Sequence, residues 1–186
     1  MIIEMDQSDE NLIEDYVGGD DASFKLIIDR YTPIVFGYVS RFVGKDNADD
    51  LTQDVFIKVW KNIRNFDDEK ASFKTWLFKI ARNTTIDYLR KKKSINFSSL
   101  DSDEEDFASG LEDDHDNQED ILIKSENINA LKEAIKILPL NYREILVLYY
   151  EQDMTFKEIG ELLNKPLNTV KSYHRRALIR LKKELS

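Results

Sequence analysis

Three groups of side chains in this sequence have the types and spacing to do chemistry, and in each case the chemistry is recognition. The first lies near the carboxyl end. Asn168, Lys171, Ser172 and Arg175 recur there at helical spacing, and Arg176, Arg180, Lys182 and Lys183 continue the charge. Residues 165–183 hold seven cations and no acid. Amide, hydroxyl and guanidinium groups on one helical face suit base edges in a major groove, with flanking cations on phosphates. A solvated basic helix is the plainer alternative, and the acid-free run weighs against it. The second group is Phe73–Arg90, where aromatic and amide groups interleave with cations. That combination suits unstacking bases and holding a single strand. The third is Asp50, Gln53, Asp54, Ile57 and Trp60, which fall on one side of a helix. A tryptophan beside carboxylates reads as an interface anchor, although a core position for Trp60 is the alternative.

Helices must position all three groups. Asp46–Ile63 is the clearest amphipathic stretch, with Ala48, Leu51, Val55 and Val59 forming the stripe opposite the acids. Ser72 can cap a helix running to about Lys92, with Phe73, Leu77, Ile80 and Thr84 inward and Trp76 expected in the core. Thr32-Pro33 places a hydroxyl cap and a proline where a helix over 33–43 would start. Further on, a helix over Ile128–Leu138 breaks at Pro139, and the pattern resumes over Tyr142–Glu151. Thr155 and Glu158 form a capping-box signature for a short helix with Phe156, Ile159, Leu162 and Leu163 inward. A tight turn at Asn164-Lys165 follows. Pro166 suits the first turn of a last helix ending near Lys183, with Val170, His174, Ala177 and Leu181 on its buried side. This is a helix-turn-helix pattern. His174, on the buried side, is expected as a packed or hydrogen-bonded imidazole rather than a DNA contact or pH switch.

The net charge of −9 looks wrong for a nucleic-acid binder until it is divided along the chain. Residues 1–93 carry 15 Lys/Arg against 17 Asp/Glu, residues 94–124 carry 1 against 11, and residues 125–186 carry 11 against 8. The acidity sits in the middle, leaving Lys70–Lys93 and Lys165–Lys183 as basic stretches able to attract phosphates. The middle lacks periodicity and repels itself, so it reads as a flexible acidic linker. The expected fold is therefore all-α: two small helical domains, 1–93 and 125–186, joined by the linker 94–124, the second a helix-turn-helix.

Several classes are excluded or disfavoured. The longest unbroken apolar run, Ile145–Tyr150, is far short of the roughly 18 residues that cross a bilayer. The amino end lacks a secretory signal, so the expectation is a cytoplasmic protein without membrane insertion. Cysteine is absent, which removes disulfides and thiolate metal sites. With only His115 and His174, and no glycine-rich phosphate loop or nucleophile elbow, no enzyme, cofactor or metal site is expected. The run Asp101–Glu105 meets Asp106 where a calcium loop needs glycine.

The segment Leu138-Pro139-Leu140-Asn141-Tyr142-Arg143-Glu144-Ile145-Leu146 through Thr169-Val170-Lys171-Ser172 resembles the promoter-reading domain of bacterial sigma factors. Asp49–Trp60 resembles their polymerase-binding helix, and Phe73–Arg90 their promoter-melting helix. The order matches, and the larger sigma factors' middle domain has no counterpart, as in the extracytoplasmic-function group. The resemblance covers about residues 10–93 and 125–184. It implies that Asp50, Gln53, Asp54, Ile57 and Trp60 grip core RNA polymerase and that Lys79, Arg82 and Arg90 hold the minus-ten strand. Asn83 matches the position that receives a flipped base. Asn168, Thr169, Lys171, Ser172, Arg175 and Arg176 would meet the minus-thirty-five element of promoter DNA. Tyr173 and His174 depart from the arginine and aliphatic residue most often found after the Val-Lys-Ser run, so base preference does not carry over. An anti-sigma protein is the expected regulator.

Two rival readings fit parts of the same sequence. A response-regulator type of transcription factor would share the helix-turn-helix but needs an alternating strand–helix receiver, whereas residues 1–93 show only helical periodicity. A polymerase-binding adaptor would keep the Asp50–Trp60 face and lose sequence-specific DNA binding.

Overall fold

The computed structural model describes residues 7–96 and 130–185, apart from the side chains of 94–96. The acidic stretch 97–129, with His115 and the Asp101–Asp106 run, lies outside the described residues. The chain divides into two compact units, Met1–Ser98 and Ser99–Ser186. Among the described residues every regular element is helical.

In the first unit, α1 (Asp9–Val17) is capped by Ser8, which accepts from Asn11 N–H, and buries Leu12, Ile13 and Tyr16. It docks on α2 (Asp21–Val43). Arg30 meets the Asp9 carboxylate at 2.6 Å, the Tyr31 hydroxyl donates to the same carboxylate, and Tyr16 stacks on Phe24 at 4.8 Å. Gly44 turns the chain into α3 (Lys45–Asn62) at φ 80°, a conformation open to glycine and costly for other residues. A 3₁₀ turn, Ile63–Asn65, follows α3. Then α4 (Phe73–Asn96) closes the bundle, Ser72 Oγ accepting from Thr75 N–H at 3.3 Å. Val35, Val55, Phe73 and Phe78 are among the fully buried side chains. Tyr38 meets Phe78 edge-on at 5.3 Å, and Tyr31 meets Phe73 at 5.4 Å. Each such side chain contributes roughly 1.5–3 kcal/mol by leaving water.

The expected helix start at Thr32-Pro33 is wrong. The helix begins twelve residues earlier, at Asp21, with Asp20 accepting from Ala22 N–H. Ser23, Ile27, Tyr31, Val35, Tyr38, Val39 and Phe42 form one buried stripe that runs straight past Pro33. Pro33 itself is exposed, so the missing hydrogen bond lies on the solvent side. The Thr32 hydroxyl turns back to the Ile28 carbonyl at 2.7 Å instead of capping.

In the second unit, α5 (residues 130–136) is followed by Pro139, then α6 (Leu140–Leu146) and a π-helical segment, Val147–Glu151. The helix after Pro139 thus starts at Leu140, two residues before the sequence pattern places it. Next come α7 (Phe156–Leu163) and α8 (Leu167–Glu184). Leu138, Ile145, Leu148, Met154, Ile159, Val170 and Ala177 are buried. Arg143 is buried too, and donates to the Lys136 and Leu138 carbonyls at the end of α5. It satisfies backbone groups that a helix end leaves open, while burial lowers its pKa.

Candidate nucleic-acid interface and docking face

The helix-turn-helix is fixed by local chemistry. Thr155 N–H donates to Glu158 Oε2 at 2.7 Å, and Glu158 N–H donates to Thr155 Oγ1 at 3.3 Å, closing the capping box on α7. Asn164 ends α7 in the left-handed region, φ 52° and ψ 48°. Lys165 N–H donates to the Gly160 carbonyl at 2.9 Å. A Cβ on Gly160 would lie 2.9 Å from the Lys165 carbonyl, so this close crossing requires glycine. Pro166 occupies the extended cap position, one residue ahead of the first turn of α8.

On α8, Val170, Ala177 and Leu181 are buried, leaving the opposite side free for a ligand. Asn168, Lys171, Arg175 and Arg176 are exposed there, with Thr169 and Ser172 half-buried at its margins. His174 is half-buried among Tyr149, Tyr150 and Phe156, with its ring 5.0 Å from those of Tyr149 and Phe156. Its Nε2 lies 3.2 Å from the Tyr150 hydroxyl. The desolvation of this aromatic setting lowers its pKa below the ordinary 6.5.

On α4 the core side is Phe73, Leu77, Phe78, Ala81, Thr84 and Thr85. Lys79, Asn83 and Arg90 are exposed on the outer side, and Arg82 is half-buried beside them. Ile80 is half-buried rather than core. Trp76 is also half-buried, its ring 5.5 Å from Phe66 and 5.8 Å from Phe73. Lys58, which sequence spacing did not single out, reaches from α3 to Thr84 Oγ1 at 3.0 Å, next to Asn83. Periodicity along one helix carries no signal for such a contact between helices.

The structure places Ala48, Leu51, Val55 and Val59 of α3 in the core. Asp50, Gln53 and Asp54 are exposed opposite them, with Ile57 48% and Trp60 55% accessible. Two large apolar side chains left in water on the acidic side of a helix make this a candidate docking face. Trp60 is therefore not a core residue.

These surfaces coincide with known protein regions. Sigma-70 region 2 matches residues 27–95 and Sigma-70 region 4 matches residues 128–181, which defines a transcription-initiation protein. The chain is 34% identical over 171 residues to the ECF RNA polymerase sigma factor SigW of Bacillus subtilis, covering 90% of this chain and 91% of that one. It is 31% identical to the ECF RNA polymerase sigma-E factor of Haemophilus influenzae, covering 89% and 88%. In fold it is similar to the sigma factor RpoE of Bartonella quintana, solved with the anti-sigma factor NepR (TM-score 0.65, 22% identity, 87% and 96% covered). CnrH, solved with the cytosolic domain of CnrY, is similar in fold as well (TM-score 0.68, 20% identity, 96% and 97% covered). The chain belongs to the ECF RNA polymerase sigma factors. The response-regulator reading falls with this, and residues 7–96 offer none of the strands a receiver needs. No described helix is long and apolar enough to cross a membrane.

Proposed function

We propose that the exposed face of α3 docks core RNA polymerase, with Ile57 and Trp60 as apolar anchors and Asp50, Gln53 and Asp54 as polar partners. On the outer side of α4, Lys79, Arg82 and Arg90 hold the opened minus-ten strand while the Asn83 amide pairs with an unstacked base. Asn168, Thr169, Lys171, Ser172, Arg175 and Arg176 read the minus-thirty-five element as duplex. The working domains are 1–93 and 125–186, joined in sequence by the acidic stretch 94–124. The protein acts by binding rather than by bond-making, in the cytoplasm, and needs no cofactor. An anti-sigma protein is its regulator, a reading supported by the partners of the RpoE and CnrH structures.

The observation that carries this reading is the pairing, in one chain, of an accessible acid-and-tryptophan face with a basic helix-turn-helix. Run-off transcription with purified core polymerase on genomic fragments tests it. Wild type should start transcripts at discrete sites. Asn83→Ala should chiefly impair strand opening, and Lys171→Ala with Arg175→Ala should chiefly impair recruitment. If core polymerase gains no initiation while a preassembled holoenzyme responds, the protein is an accessory regulator and the assignment to α3 and α4 is wrong.

A further inference from the structure

One flank of α8 carries an alternation of cations and rings, and the assigned surfaces give the rings no part. The Lys165 ammonium, in the turn before α8, lies 5.5 Å from the centre of the Tyr173 ring. Tyr173 meets Tyr142 of α6 edge-on, with centroids 5.5 Å apart at 75°. The Arg180 guanidinium sits 5.3 Å from the centre of the same Tyr142 ring. Both cations are inside the roughly 6 Å reach of a cation–π contact. Tyr173 and Arg180 are seven residues apart, so they occupy the same flank, between the buried and base-reading sides. Tyr142 in turn packs against the buried cluster of Ala134, Leu138, Leu146, Ala177 and Leu181, which ties the column to the core.

We propose that Tyr142 and Tyr173 are positioning residues that hold Lys165 and Arg180 as a phosphate-binding rail along this flank of α8. The ligand class is the phosphodiester backbone of duplex DNA, and the inference rests on the helix-turn-helix reading above. A guanidinium held over a ring keeps outward N–H groups for a phosphate, and an ammonium beside a ring keeps its outward protons. Holding both side chains before DNA arrives lowers the entropy lost when they are immobilised. The seven residues from Tyr173 to Arg180 rise roughly 10 Å, so with Lys165 ahead of them the rail spans more than one phosphate. Tyr173 touches both parts of the column, Lys165 directly and Arg180 through Tyr142. The ring brings no charge of its own and instead organises two charges from neighbouring positions.

The test is equilibrium binding of the full chain to a fluorescent duplex of about thirty base pairs and mixed sequence, followed by anisotropy across a salt series. Lys165→Gln with Arg180→Gln should flatten the log–log salt slope by about 1.8, the release expected for two phosphate contacts. Tyr142→Leu with Tyr173→Leu keeps both charges and should still weaken low-salt binding several-fold, whereas Tyr173→Phe should match wild type. Should Tyr142→Leu lower helix content by circular dichroism, Tyr173→Leu alone is the variant to read. An unchanged slope in the glutamine pair, or wild-type binding in the readable leucine variant, overturns the rail. Lys171→Ala with Arg175→Ala is the companion arm. If it leaves binding intact, the helix-turn-helix reading itself fails; if it weakens binding while the rail variants do not, only the rail does.

Discussion

Gly160 and His174 show how single positions in the second unit carry consequences for the surface they support. Gly160 is where α7 passes the turn, and a methyl group there would sit 2.9 Å from the Lys165 carbonyl, a backbone atom with no rotamer to yield. Gly160→Ala should therefore destabilise the unit by about 1–3 kcal/mol, as overpacking does, and its thermal transition should drop accordingly. His174 works through protonation. Its ring neighbours are Tyr149, Tyr150 and Phe156, and burial among them holds its pKa below 6.5. Folding then favours the neutral ring, so the unfolded chain binds more protons in the window just below pH 6.5. Stability should fall as pH drops through that window and hold steady above it. Thermal melts from pH 7.5 to 5 on wild type and His174→Gln check this, since the variant should lose that part of the slope. Identical slopes would remove the histidine from the account.

At the scale of elements, the start of α2 is held by a single side chain that makes two contacts. Asp20 Oδ1 accepts from Ala22 N–H at 3.0 Å and Oδ2 accepts from the Ser23 hydroxyl at 2.9 Å. Asp20→Ala should cost about 1 kcal/mol, read as a lower melting temperature for that unit, because the turn it caps also supports α1. This cap shows where sequence reading stopped short. The amphipathic stretches that became α3, α4, α7 and α8 were legible because each carries a long apolar stripe, and α4 and α7 add a side-chain cap at Ser72 and Thr155. At Thr32-Pro33 a local start signature outweighed the longer stripe from Ser23 to Phe42, although the tertiary packing of that stripe decides the outcome. Ser8 ahead of Asp9-Glu10, and Asp20 ahead of Asp21, were the overlooked start signals for α1 and α2. The π segment over Val147–Glu151 has no periodic signature distinct from an α-helix at that length. The candidate surfaces were legible wherever one helix carries the whole pattern, as with Asp50, Asp54 and Trp60. Contacts between elements, such as Lys58 with Thr84 or Tyr142 with Tyr173, are set by packing and leave no mark in spacing.

For the whole molecule the governing quantity is how charge is divided along the chain. Residues 98–120 carry eleven acids and no Lys or Arg, so deleting them changes the net charge from −9 to +2. Attached to two units that each carry a basic stretch, a negative run of this size would repel the phosphate backbone over distances set by salt, about 10 Å at 0.1 M and about 30 Å at 0.01 M. A chain lacking 98–120 should therefore bind duplex DNA several-fold more tightly at about 0.02 M salt, with the difference closing near 0.2 M. Anisotropy titrations of the two chains at both salts give the answer directly. Equal affinity at low salt would show that the run does not screen the basic surfaces. A different outcome is expected if the same acids occupy a positive channel of polymerase. In that case, deletion should lower run-off yield from the reconstituted holoenzyme even where free DNA binding has become stronger. A deletion that strengthens DNA binding and leaves run-off yield untouched would make the acidic segment a guard against binding DNA without polymerase. One that changes yield alone would place its work inside the holoenzyme.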